Sequence, residues 1–254
     1  MLAHQDGEYP EADERPVLNE LQWIQYLLDG CCTVQEVLDQ LDRVRIEKAM
    51  LVLHYLAVDA AGDAAVIEFY GNETSVVRGG QAMAVTNSGM EASFRHAERL
   101  RETPIEELAG RLDSLNRYAW TCRLTEEACL AYGGRPPGVE DAFAVLQRVS
   151  ISPSTVADWA WDGKSVPVTM TQWRIVFDVD RRIVHFQTSG NPHTCHVALD
   201  RFSFAADEPA RCLHLDGGWS GDAGRHFKPY AREDNERIIR LSFAPVADRF
   251  PPSL

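Results

Sequence analysis

The sequence has no apolar run near the roughly 18 to 20 residues that a membrane-spanning helix needs, so no membrane span is expected. Met1 to Pro16 has neither a basic start nor an apolar stretch, so no targeting segment can be read there and the compartment stays open. Cysteine is sparse. Six cysteines in 254 residues are too few for a disulfide scaffold, and no CxxC pair suggests a zinc ribbon. Cys195 and Cys212 would be free to pair only in an exported protein. Positive charge is short as well: 25 Lys and Arg against 38 Asp and Glu leave a net charge of −13, which repels a phosphate backbone and argues against a nucleic-acid partner. Internal repeats, low-complexity tracts and linkers are also lacking. With 45% hydrophobic residues the chain is large enough to bury a sizeable core as one large domain or two small ones.

Periodicity then divides the chain. Leu18, Leu21, Ile24, Leu27 and Leu28 recur at helical spacing up to Gly30, and Thr33 with Glu36 makes a capping box that opens a second helix. Leu51 to Asp59 and Ala64 to Tyr70, separated by Ala-Ala-Gly-Asp, read as a β-hairpin whose strands are covered on both faces. Val76–Val77 and Ala82 to Thr86 extend the strand region. Helical patterns follow over Glu91–Arg101, Ile105–Leu112, Ser114–Ala131 and Val139–Val149, and strand patterns over Gln172–Val179, Arg182–Thr188 and Cys195–Leu199. Hairpins rather than regular βαβ alternation predict an α+β layered domain with an antiparallel sheet component. Such a domain suits an enzyme, a binding module or a scaffold.

Four segments in order narrow this. They are Tyr9-Pro10-Glu11 with Leu21 to Asp29 and Thr33 to Val37; Leu53-His54-Tyr55 through Ile67-Glu68-Phe69; Val85-Thr86-Asn87-Ser88; and Ser114-Leu115-Asn116-Arg117-Tyr118 with Thr171-Gln172-Trp173. Together they resemble the choloylglycine hydrolase and penicillin V acylase family over nearly the whole chain. The resemblance implies the N-terminal nucleophile fold, a four-layer αββα sandwich, with 1–254 forming a single domain that lacks its N-terminal segment, and hydrolysis of linear amide C–N bonds. In such enzymes an N-terminal cysteine attacks the amide carbon, its own α-amino group acting as base, and water then releases the acid from the acyl-enzyme. The implied partner is a small-molecule amide with an apolar acyl group, such as a conjugated bile salt, penicillin V or an N-acyl amide. No cofactor or metal is implied, and homo-oligomerisation is left open.

Two positions match the family's site. Asn87 matches the asparagine whose side-chain amide faces the oxyanion, and Arg117 matches the arginine that supports the thiolate. Without the other segments, Thr-Asn-Ser-Gly is also a good turn sequence and Arg117 an ordinary helix arginine. Gly89 stands where the family usually has proline, which is expected to loosen the backbone after Asn87. Gln187 and Ser189-Gly190 also depart from the family's strand. By this resemblance the segment bearing the nucleophilic cysteine is expected to precede Met1, since Cys31 and Cys32 fall at a helix junction. The alternative expectation is a non-catalytic remnant or ligand-binding pseudoenzyme.

Other residues carry blander readings. His193, Cys195, His196 and His214 hold nitrogen and sulfur ligands, but on a strand 193 and 195 point away from 196, so ordinary strand and loop roles are expected. Asp216 and Asp222 lie in a Gly-rich loop without the ligand spacing of a calcium site. Trp23, Trp120 and Trp173 are expected to pack in the core, whereas Trp159 and Trp161 suit either a pocket wall or an anchored loop.

Overall fold

A computed structural model describes residues 1–79, 84–133, 137–151, 160–161, 164–165, 171–215 and 217–243. In chain order the elements are β1 (Leu2–Ala3), β2 (Val17–Asn19), α1 (Gln22–Gly30), α2 (Val34–Asp39), β3 (Arg45–Glu47), β4 (Leu53–Val58), β5 (Ala64–Tyr70) and β6 (Glu73–Arg78). There follow α3 (Met90–Arg99), α4 (Ile105–Leu108), α5 (Ser114–Ala131), α6 (Val139–Arg148), β7 (Ala160–Trp161), β8 (Lys164–Ser165), β9 (Trp173–Asp178), β10 (Ile183–Thr188) and β11 (Asn191–Ala198). Short strands β12 (Arg211–Cys212), β13 (Gly221–Asp222) and β14 (Lys228–Pro229) lead into α7 (Arg232–Phe243). The fold is mixed α+β, with two four-stranded sheets ordered β1-β4-β5-β6 and β13-β11-β10-β9.

The two-residue period of β5 organises the first sheet. Ile67 and Phe69 point to one face, where they meet Trp23 of α1, Val37 of α2 and Ile46 of β3. Val66 points to the other face, where it meets Met90 of α3 and Tyr118 of α5. Both faces are covered, so Ala64 through Phe69 are all buried, as an uninterrupted apolar strand requires. Trp23 has no exposed surface and sits edge-on to Tyr55, with ring centroids 4.6 Å apart, and to Phe69 at 6.2 Å. The hairpin turn is closed by Asp59, whose Oδ1 accepts from the Ala61 and Asp63 N–H groups, and Gly62 adopts φ +82°, a left-handed conformation that glycine takes without strain.

Several boundaries differ from expectation. Leu18 belongs to β2, paired in parallel with β3, and α1 starts only at Gln22 because Asn19 Oδ1 accepts from the Leu21 and Gln22 N–H groups. The capping box at Thr33 is formed as expected, and α2 ends at Asp39. Ala84 to Thr86 is not a strand, and residues 82–83 lie outside the described set. In the second sheet Phe186, Cys195 and Val197 share a face covered by Phe202, Trp219 and Phe227. That cover stops short of edge strand β9, so Phe177 is 65% exposed and Trp173, expected in the core, is 59% exposed. Trp120 is buried with Leu108 and Leu124. Trp159, and the side chain of Trp161, lie outside the described residues.

Polar burial at the base of the first layer centres on Glu20, which is 1% exposed. Its Oε2 accepts from the Ala49 N–H at 2.8 Å, and its Oε1 from Met50 at 2.6 Å and Leu51 at 3.1 Å. Burial pushes this carboxyl up, but the converging backbone donors outweigh it and hold Glu20 below the usual carboxylate range. A depressed carboxyl contributes stability above its unfolded-state pKa and loses that contribution as pH falls through the folded value. Glu20→Ala, which strands three backbone donors, is therefore expected to cost about 3 kcal/mol at neutral pH. The deficit should shrink as pH drops below about 4.3, the unfolded carboxyl value, measured by urea unfolding from pH 7 to pH 3. Trp23→Ala should cost about 3 to 5 kcal/mol at every pH in the same experiment.

Candidate functional site

Asn87 and Arg117, 30 positions apart in sequence, meet directly: Arg117 Nη2 donates to Asn87 Oδ1 at 2.7 Å. Because a guanidinium only donates, this contact fixes which end of the Asn87 amide is oxygen. The amide nitrogen then donates to the Ala3 carbonyl at 3.1 Å, and the Asn87 carbonyl accepts from the Gln5 N–H at 2.9 Å. Asn87 is thus held between the strand leaving β1 and the first turn of α5. One of its two Nδ2 hydrogens is used by Ala3, and among the described residues no acceptor takes the second.

Helical spacing explains why α5 reaches this turn twice. Ser114 and Arg117 lie three residues apart and so project from one face. Ser114 Oγ accepts from the Ser88 N–H at 2.7 Å, joins Ser88 Oγ at 2.9 Å and donates to Thr86 Oγ1 at 3.1 Å. Asp113 caps the helix by accepting from the Asn116 N–H. Burial draws the Arg117 pKa down while the nearby Asp113 charge opposes it; the guanidinium stays charged in either case. A charged donor on the amide oxygen polarises Asn87 and strengthens its remaining N–H as a donor.

Behind the turn lies a group that motif reading did not single out for chemistry. Tyr55 is cross-strand from Ile67 and Leu2 from His54, so by alternation His54, Glu68 and Tyr70 fall on the α3 face of the first sheet, where His4 stacks on His54. Glu68 Oε1 bonds His54 Nδ1 at 3.1 Å, and Oε2 accepts from Tyr70 Oη at 3.1 Å. Both carboxylate oxygens face the Met90 N–H, at 2.9 and 3.2 Å. Burial raises the Glu68 pKa, but the hydrogen bonds from His54 and Met90 and the nearby histidines hold it below the usual range. Burial, then the charge of His54, lowers the His4 pKa, and burial with the Glu68 charge pushes Tyr70 up to about 12. One sequence signal was available: a glutamate inside a strand buried on both faces must find partners.

Gly89 does not loosen the turn. Its φ of −58° suits proline, but a Cβ there would stand 2.4 Å from Tyr70 Oη and 3.3 Å from His4 Nε2. The space is filled, so this glycine serves close approach rather than flexibility.

Among the described residues, two groups of side chains have metal-ligand composition, His4–His54–Glu68 and Cys212–His214–Asp234. An ion lies in the plane of each imidazole that binds it, and the rings of His4 and His54 stack 4.9 Å apart at 6°, so their planes do not converge. In the second group Arg237 donates to His214 Nδ1 at 2.8 Å, which puts the ring proton on Nε2, facing Asp234 Oδ1 at 3.2 Å. Neither group is arranged as a ligand set. The histidines considered earlier are dispersed: Cys195 is in the core, His196 is paired across the sheet with His185, and His214 is bonded to Asp234. Asp222 pairs with Arg201 and accepts from the Gly224 N–H, while Asp216 lies outside the described residues.

All six cysteines are free, including Cys195 and Cys212. Burial pushes the thiols of Cys31, Cys122 and Cys195 up, the wrong direction for a nucleophile. Cys31 and Cys32 sit between α1 and α2. A cavity of about 690 Å³ opens between these helices and β4, with Leu27, Val37, Leu56, Val58 and Phe177 among its walls; neither Asn87 nor Arg117 lines it. Among the described residues no helix is long and apolar enough to cross a membrane.

No family model matches the chain. It is 24% identical over 262 aligned positions to a penicillin V acylase from Pectobacterium atrosepticum, a match spanning 88% of this chain and 66% of that protein. The chain thus covers slightly less than two thirds of that relative's length. Among solved structures it superposes on a penicillin V acylase from Agrobacterium tumefaciens with a TM-score of 0.70 at 22% identity, covering 89% of this chain and 72% of the other. It also superposes on a mutant conjugated bile acid hydrolase from Clostridium perfringens with a TM-score of 0.66 at 14% identity, covering 91% and 72%. In sequence the chain is thus similar to a penicillin V acylase, and it shares its fold with the penicillin V acylase and conjugated bile acid hydrolase structures.

Proposed function

We propose that Asn87 and Arg117 form the oxyanion-stabilising part of a site that hydrolyses linear amides bearing an apolar acyl group. The observation that carries this reading is the Arg117–Asn87 hydrogen bond at 2.7 Å. It holds a neutral amide donor in a fixed orientation, with one N–H still to be used, so no reorganisation is needed when negative charge develops on a substrate carbonyl oxygen. The role of Arg117 is then to orient and polarise Asn87 as well as to add positive potential for a thiolate. The attacking group in this chemistry is an N-terminal cysteine thiol, which none of the described cysteines brings to Asn87. The reading therefore includes a cysteine supplied from sequence ahead of Met1. The relatives' names point to two substrate types, penicillin V and a conjugated bile acid.

The test begins with the reading frame upstream of the Met1 codon, expected to encode a cysteine that can become N-terminal; an upstream sequence without one sinks the catalytic reading. The extended chain is then assayed for release of phenoxyacetic acid from penicillin V and of glycine from glycocholate. Turnover of one of them is expected, and Asn87→Ala should lower kcat about 100- to 1000-fold with the fold intact. An Asn87→Ala enzyme with full kcat would remove Asn87 from the chemistry.

A further inference from the structure

We propose that Glu68, with Tyr70 and His54, is a positioning group for Asn87: a buried carboxylate clamp that holds the start of α3 and so aims the turn that carries the amide. This rests on the reading of Asn87 given above. Helix α3 begins at Gly89, a residue with no side chain to cap it. Its first N–H, on Met90, instead points at both oxygens of Glu68, a residue 22 positions earlier on a different element. A carboxylate at a helix N-terminus meets both an orphan donor and the positive end of the helix dipole. Glu68 is 1% exposed, so water does not compete for it.

The clamp is two-sided. On the sheet side Glu68 is braced by His54 Nδ1 and Tyr70 Oη, both at 3.1 Å. On the turn side, Met90 is three residues from Asn87, and the intervening Gly89 lies against Tyr70 Oη with no room for a Cβ. Ser88 is pinned from the opposite direction by Ser114. Ser114 of α5 bonds Thr86 as well as Ser88, and Glu68 of β5 holds Met90, so Asn87 lies between a tie to α5 at Thr86 and a tie to β5 at Met90. Tyr70 and Gly89 act as one steric unit, since the close approach of one requires the absence of a side chain on the other.

The experiment uses nuclear magnetic resonance of the isotope-labelled full chain, reading the Asn87 side-chain amide pair and hydrogen exchange at the Met90 amide, with Val184 and Val197 signals reporting the fold of the second sheet. Turnover is not required, so failure of the clamp and failure of the amide-hydrolase reading are separate outcomes. In Glu68→Ala the Met90 amide should exchange at least about tenfold faster. The Asn87 pair should move toward free-amide positions while the second sheet is unchanged. Glu68→Gln, which keeps one acceptor oxygen, should restore the Asn87 signals. Gly89→Ala should displace them, and Tyr70→Phe, which removes one brace of Glu68, should speed exchange at the Met90 amide. The proposal is overturned if a folded Glu68→Ala leaves Asn87 and Met90 unchanged, or if Glu68→Gln behaves as Glu68→Ala. Should Glu68→Ala not fold, the Gly89 and Tyr70 variants decide: Asn87 signals unmoved in Gly89→Ala, or Met90 exchange unmoved in Tyr70→Phe, overturns the clamp.

Discussion

A carboxylate can be buried in a sheet only if donors converge on it, and Glu68 is where this constraint binds the molecule together. Its partners come from three places: β4 through His54, β5 itself through Tyr70, and α3 through the Met90 N–H. Burying the charge without them would cost several kcal/mol. The sheet, the helix start and the turn before it are therefore assembled jointly or not at all. Glu20 does the same at the other end of the first layer, where three successive backbone N–H groups close on one carboxylate.

The region around Asn87 is polar inside and apolar outside. Thr86, Ser88 and Ser114 are buried and satisfy one another, whereas Val66, Met90 and Tyr118 pack around them. A fully satisfied polar network rigidifies its surroundings, and a partly satisfied one does not. Among the described residues Asn87 is the member with an N–H that no acceptor takes, at the place where Arg117 polarises it. The apolar cavity beside α1 and α2 is walled by a different set of residues, so the polar site and the apolar volume draw on different parts of the chain.

Much of this was legible beforehand because it depends on local pattern. The hairpin from Leu53 to Tyr70 follows from two apolar runs around an Asp-Ala-Ala-Gly-Asp turn, and the Thr33 capping box from residue types at fixed spacing. Leu18 was misassigned because its apolar spacing suits a helix, while the Asn19 side chain delays the helix start to Gln22. Trp173 was placed inside by its hydrophobicity, yet β9 is the edge of its sheet and cover on that face ends at β10 and β11. Gly89 was read as slack because sequence shows a missing side chain and not the tyrosine oxygen occupying its space.

The residues of the candidate site divide along the same line. Sequence alone determined that Asn87 lies in a turn ahead of a helix and that Arg117 lies one turn inside a helix, since motif and periodicity are properties of neighbours along the chain. Only the tertiary structure decided that the two are hydrogen-bonded, and that His4, His54, Glu68 and Tyr70 stand together behind them. Apart from Tyr70 and Glu68 on one strand, these contacts join positions 14 to 66 residues apart, with Asn87 and Arg117 30 apart. Cross-strand register and helix facing, which no local pattern specifies, are what bring them within bonding distance.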